Sequence, residues 1–248
     1  MQLEGKCLVG LQDRRMKMIR SKRFLAAVIL ANAVVIGGAI TIGVLSDKPG
    51  LAFKEGELVT YFSTLQLGMC AVASGLNFCL VFSSAKKWSW ESVFWIVIAG
   101  GFLFGALDEL FMFHERIDKA IHKLLSLQQT PWTDRFDDLI VGLYVGLGAW
   151  LIFASARVES FLDQPRRLFA KGLAIAVVMV SLDLLTNGRD FMMWLFGQNL
   201  GLFLRTWLSI LEDCLKLVAV ALFLIGLAQN ADLLWSRSRS AALNDENV

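Results

Sequence analysis

Apolar residues in this chain neither alternate nor keep to one helical stripe. They run almost unbroken over residues 24–45, 58–82, 91–113, 137–156, 168–188 and 206–228. Each run holds roughly 20–25 residues, and at about 1.5 Å of rise per residue that length spans a hydrocarbon layer of about 30 Å. A helix satisfies its own backbone in lipid, where water cannot do so. The pattern therefore predicts an all-α, polytopic membrane protein: a bundle of six transmembrane helices filling residues 24–228, between tails at 1–23 and 229–248. Little chain is left for a soluble domain.

Composition and charge sharpen this picture. The 248 residues are 56% hydrophobic with a mean hydropathy of +0.58, above the usual range for a soluble domain. A net charge of +2 is too small to call for nucleic acid, so the expected partner is the lipid bilayer. Fifteen Lys and Arg residues fall in the N-terminal tail, the second and fourth loops and the C-terminal tail, against eight in the other loops. By the positive-inside rule both termini are cytoplasmic. The first run is too long for a signal-peptide core and lacks a small-x-small cleavage site after Leu45, so it is expected to stay as a span. Met16 or Met18 is a conceivable alternative start. Trp88, Trp90 and Trp235 on the cytoplasmic side, and Trp132 and Phe136 on the other, suit interfacial anchors. Cys7, Cys70, Cys79 and Cys214 lack metal-type spacing and are expected as buried free thiols. The stretch 116–136 reads as an amphipathic extension of the third helix, ended near Pro131. The glycines at 37–38, 100–101, 105, 142, 146 and 148 suit close helix packing.

The candidate chemistry lies in acids placed where they are costly. Asp108, Glu109, His114, Glu115, Asp183, Asp190, Glu212 and Asp213 sit inside or at the ends of apolar runs. A charge in hydrocarbon costs about 2.5–3.5 kcal/mol on insertion scales, and such groups mark function by default. With both termini inside, all of them fall in the outer halves of their helices, together with Thr60, Ser63 and Gln66 on the second and Asp137 and Asp138 on the fourth. At about 100° per residue, Asp108 and Glu115 share one face and His122 continues it, whereas His114 is turned about 100° from Glu115 on an unbroken helix. Asp183, Asn187 and Asp190 form a stripe on the fifth helix, and Ser63, Gln66, Cys70, Ser74 and Asn77 another on the second. His122, Asp118 and Asp190 lie where interfacial water is expected to reach them.

Carboxylates with one imidazole suit a divalent ion such as zinc, manganese or iron. A ferritin-like pair of metals would need Glu-x-x-His on two helices, which is absent. His114 and His122 share one helix and cannot sandwich a haem iron. A ceramidase-type zinc site lacks histidines, and six spans give little support to a retinal Schiff base on Lys216. That lysine stands one turn from Glu212, where an i, i+4 ion pair is the simplest use for it.

The strings LeuAspGluLeu at 107–110, HisGluArg at 114–116 and LeuGluAspCysLeuLys at 211–216 resemble a loose set of uncharacterised bacterial multipass membrane proteins. In those, a Leu-Asp-Glu run is followed by His-Glu on one helix, an acid on the next but one, and Leu-Glu-Glu on the last. Asp108, Glu109, His114, Glu115 and Glu212 match directly, Asp183 approximately, and Asp213 replaces the second Glu. Lys216 stands where the lookalikes tend to carry an acid. The resemblance implies a bacterial inner-membrane location and residues that act together; it implies no activity.

The leading expectation is an acidic site in the extracytoplasmic half. Asp108, His114, Glu115, Asp183 and Glu212 would hold a divalent metal, and Glu109 or Asp213 would act as base on a lipid-like or small substrate. Two alternatives stand beside it: a proton- or cation-coupled relay through the same carboxylates, and a structural subunit whose polar network only fixes helix packing.

Overall fold

The computed structural model describes residues 2–54, 56–85, 87–124, 136–186 and 189–245, with the side chains of 2–21, 136–141, 145, 189–191 and 241–245 outside that description. Among the described residues there are eight α-helices: α1 (Gln2–Leu45), α2 (Leu58–Ala85), α3 (Trp90–Phe111), α4 (Phe113–Leu124), α5 (Phe136–Ser155), α6 (Asp163–Thr186), α7 (Arg189–Phe196) and α8 (Gln198–Asp245). A single 3-10 turn, Leu51–Phe53, joins α1 to α2, and no strand occurs among the described residues. The all-α expectation holds, and the described residues of the six apolar runs are helical except at Met112 and Ala156. Four segments are long and apolar enough to cross a membrane by length and composition: Lys22–Leu45, Leu51–Ala85, Trp90–Phe111 and Asp163–Thr186. Only 17–33% of their most apolar windows is buried inside the protein. Leu30, Val34, Leu65, Val72, Leu76, Val178 and Phe153 accordingly point outwards. An apolar belt this large suits contact with hydrocarbon, not water.

Helix α8 is the axis of the bundle. It packs along α6 on one side and α2 on the other, with α7 and α1 resting on it more lightly. Helix α3 lies on α2, and α5 lies on α6 and α4. The polar stripe foreseen on α2 faces inwards: Ser63, Gln66, Cys70, Ser74 and Asn77 are all buried. The close approach of α6 to α8 requires Gly172, because a Cβ there would stand 2.8 Å from the Phe223 ring and 3.0 Å from the Ala219 carbonyl oxygen.

Two layers close the bundle towards the start of α3. Phe102, Phe169 and Phe223 bring rings from α3, α6 and α8 together, with centroids 4.6 Å apart for Phe169 and Phe223 and 5.5 Å for Phe102 and Phe223. Phe161, Trp95 and Phe94 extend this stack. Alongside lies a polar lock. The Asn230 amide donates to Asn77 Oδ1 (2.7 Å) and to the Ser160 carbonyl (2.9 Å), and its Oδ1 accepts from the Leu162 amide (2.9 Å). Asn77 donates to the Leu227 carbonyl, and the Trp95 indole donates to Ser160 Oγ (3.0 Å). These buried groups satisfy one another across α2, α3, α8 and the turn before α6.

Several local expectations change. The third helix is not continuous into 116–124. It ends at Met112, whose left-handed backbone (φ 53°, ψ 50°) lets its amide bond back to the Asp108 carbonyl at 2.7 Å, and α4 starts afresh. Of the Asp183, Asn187 and Asp190 stripe, Asp183 lies on α6 and Asp190 on α7. Asn187 and the side chain of Asp190 lie outside the described residues, as do Pro131, Trp132 and the side chains of Cys7, Phe136, Asp137 and Asp138. Asp118 and His122 are buried, 3.1 Å apart, where interfacial exposure was expected. Cys70 is buried as anticipated, whereas Cys79 is exposed on the outside of the bundle. Trp88, Trp90 and Trp235 are exposed, as anchors would be.

Candidate functional site

Between α3, α5, α6 and α8 lies a cavity of about 510 Å³. Its wall includes Asp108, Glu109, His114, Glu115, Asp183 and Glu212, so residues singled out on three separate apolar runs meet at one place. Lys216, Thr60 and Tyr144 join them. The remaining wall is apolar, made by Val97, Ile98, Leu147, Leu151, Leu173 and Val220 among others, down to the Phe102, Phe169 and Phe223 floor. From Glu109 back to Val97 on α3 the cavity extends about 18 Å at the helical rise of about 1.5 Å per residue.

The polar end consists of three groups of side chains. The first is made by the break at Met112. Because the chain turns there, His114 returns to Asp108: its backbone amide donates to Asp108 Oδ1 (2.9 Å), and its ring Nδ1 lies 3.0 Å from Asp108 Oδ2. Asp108 therefore caps the start of α4 and orients the imidazole in one stroke. The second group centres on Lys216, whose ammonium donates to Glu109 Oε1 (2.8 Å) and lies 2.9 Å from Asp213 Oδ1. Ser63 Oγ also donates to Glu109 Oε1, at 2.7 Å. Lys216 thus bridges α3 and α8, and the expected pairing with Glu212 gives way to a tertiary contact and an i, i+3 contact. In the third group Glu212 lies in the field of Asp183 and Asp213, beside Thr186. Glu115 is at the mouth, held by Lys119 at 2.6 Å.

This pairing bears on the metal expectation. Among the described residues no three His, Cys, Asp or Glu side chains form a group that could hold a metal ion. Both Asp108 oxygens face His114, and the Lys216 ammonium sits between Glu109 and Asp213. Glu109 and Asp213, expected as bases, hold Lys216.

Three contributors escaped the sequence reading. Tyr144 is one of only two tyrosines, and it lies within an apolar run, a signal that could have been weighed. Phe104 meets Tyr144 edge to face, with centroids 5.6 Å apart, and nothing in the local pattern marks it. Met112 carries no helix-breaking residue type, so its left-handed turn leaves no mark in the sequence.

A family model covers residues 23–229 and so takes in every helix that lines the cavity. The chain belongs to the DUF8692 family, described as a domain of unknown function. The DUF8692 match spans the cavity and the Asn230 lock together but supplies no activity. No curated protein and no solved structure matches the chain.

Proposed function

We propose that this DUF8692 protein is a six-span bacterial inner-membrane protein, with both termini cytoplasmic, that takes a lipid-like molecule into its cavity. The head of that molecule meets the acid- and histidine-lined end, which this topology turns towards the periplasm, and its chain lies along the apolar wall. The observation that carries this reading is the division of one cavity into a charged end and an apolar shaft. A volume of about 510 Å³ falls within the range of roughly 300–1,000 Å³ usual for small-molecule sites.

Chemically, His114 is the group placed to move a proton at the ligand's head. A carboxylate on Nδ1 fixes the tautomer and leaves Nε2 as the basic nitrogen. Lys216 supplies a cation at the same end, held between Glu109 and Asp213. A cation or proton relay would need polar groups leading through the inner half. The groups there are an aromatic stack and a lock of amides bonded to one another, an arrangement that favours ligand binding over relay. A purely structural network would not leave an open shaft behind it.

The test is solvent extraction and mass spectrometry of protein purified in mild detergent, beside Leu151→Trp, which fills the shaft. About one amphiphile per protein, lost in the variant, supports the reading; the same lipid background in both overturns it. Elemental analysis of the same samples addresses the metal-assisted version. About one equivalent of zinc, manganese or iron, lost in Asp108→Asn, would restore it.

A further inference from the structure

Outside the cavity, α6 presents two cations side by side. Arg167 and Lys171, its fifth and ninth residues, are exposed. They stand one turn apart and so share a helix face. Together with Gln164 and Leu168 they line an open recess. The acid at its edge, Asp163, already pairs with Arg166. Among the described residues neither Arg167 nor Lys171 takes part in an ion pair. Like charges at this spacing weaken a helix, and an anion lying between them would relieve the repulsion.

The level of the recess follows from its neighbours. The Glu159 amide, just before α6, donates to Glu91 at the start of α3 (2.8 Å), and Asn230 of α8 binds Ser160 and Leu162. Close to these contacts Trp90 and Trp235 are exposed, as rings at a membrane interface are. At about 1.5 Å per residue, Arg167 lies about 6 Å and Lys171 about 12 Å along α6 from Asp163. Residues 172–182 beyond them carry no charge, so Lys171 stands at the edge of the hydrocarbon. Helical Cβ atoms tilt towards the helix start. Both side chains therefore lean back towards the head groups, as snorkelling cations do.

A guanidinium binds phosphate through two parallel N–H bonds, and an ammonium adds a point charge. The Gln164 amide is a further donor beside them, and Leu168 is an apolar seat for an acyl chain. With Asp163 and Arg166 cancelling, two positive charges remain uncompensated. A choline or ethanolamine head would bring a third; a glycerol head would not.

We propose that Arg167 and Lys171, with Gln164, form a site for the phosphate of an anionic phospholipid in the leaflet at the start of α6. In the topology proposed above this is the cytoplasmic leaflet, where basic pockets on membrane proteins meet acidic head groups. The site is separate from the cavity and does not depend on what the cavity holds.

Native mass spectrometry tests this on the full-length protein, reloaded in detergent with equal amounts of phosphatidylglycerol and phosphatidylcholine of the same chains. The expected result is retention of phosphatidylglycerol at least fivefold over phosphatidylcholine, falling to near parity in Arg167→Gln/Lys171→Gln. Both positions are exposed and Gln is a comparable helix former, so the variant is expected to fold; unchanged helicity and unfolding midpoint verify it. Should it fail to fold, Lys171→Gln alone is read in the same way. Arg237→Gln/Arg239→Gln removes two cations from α8 and is expected to keep the preference. Near parity in the wild type overturns the proposal, as does a preference that survives the α6 substitutions or is lost equally in the α8 variant. Displacement of phosphatidylglycerol by millimolar inorganic phosphate would mark a site for a free anion and overturn the lipid assignment.

Discussion

Removing the charge of Lys216 should unfold more than its own contacts suggest. Its ammonium lies 2.8 Å from Glu109 and 2.9 Å from Asp213, and the three side chains are 23%, 19% and 12% exposed. In Lys216→Met two carboxylates from α3 and α8 face each other with Ser63 as the remaining donor. Breaking a buried pair by removing one partner costs about 3–5 kcal/mol. The residual exposure and the adjoining cavity place this case at the lower end, about 3 kcal/mol. Neutralising all three positions, as Lys216→Met/Glu109→Gln/Asp213→Asn, removes the orphaned charges as well and should return stability to within about 1 kcal/mol of wild type. Equilibrium unfolding in mixed micelles, followed by loss of helicity, measures both variants. A single substitution costing under about 1 kcal/mol, or a triple variant no more stable than the single, would refute the claim that Lys216 holds α3 to α8 by charge.

Three further outcomes follow from the geometry. At Met112 the left-handed backbone should make Met112→Val cost about 1–2 kcal/mol, since a branched Cβ is strained there, while Met112→Gly is tolerated; unfolding midpoints compare the two. Asn230→Leu removes three buried hydrogen bonds, each worth about 0.6 kcal/mol between membrane helices, so a loss of about 2 kcal/mol is expected in the same assay. Gly172→Val has to displace the Phe223 ring and meets the Ala219 carbonyl, and overpacking of that kind costs about 1–3 kcal/mol. It should also reduce bound amphiphile, as the floor of the shaft moves.

Much of this was legible in the sequence because two of its signals are simple. Hydrocarbon demands long apolar runs, so the helices were visible by length alone. Acids in such runs are costly enough that depth and topology could place Asp108, Glu109, His114, Glu115, Asp183 and Glu212 together before any packing was known. The hidden features were tertiary. Lys216 lies within reach of Glu212 along its own helix, and only the tertiary fold, which brings Glu109 of α3 to 2.8 Å, turns it away. The break at Met112 has neither Gly nor Pro to announce it, yet it decides how His114 meets Asp108. The glycines of α3 read as packing surfaces, yet among the described residues a Cβ on Gly101 or Gly105 would meet nothing within 4 Å.

The central claim is that the head of a lipid-like molecule meets His114, held by Asp108 at the charged end of the cavity. Nitrogen-15 NMR of the imidazole tests it most directly. The chain has two histidines, so His122→Gln leaves His114 as the single signal. The account predicts a ring protonated at Nδ1 towards Asp108, with an Nε2 resonance that moves when a long-chain alcohol is loaded and returns when it is stripped. An Nε2 resonance that stays in place throughout, in protein shown by mass spectrometry to be loaded, would contradict it.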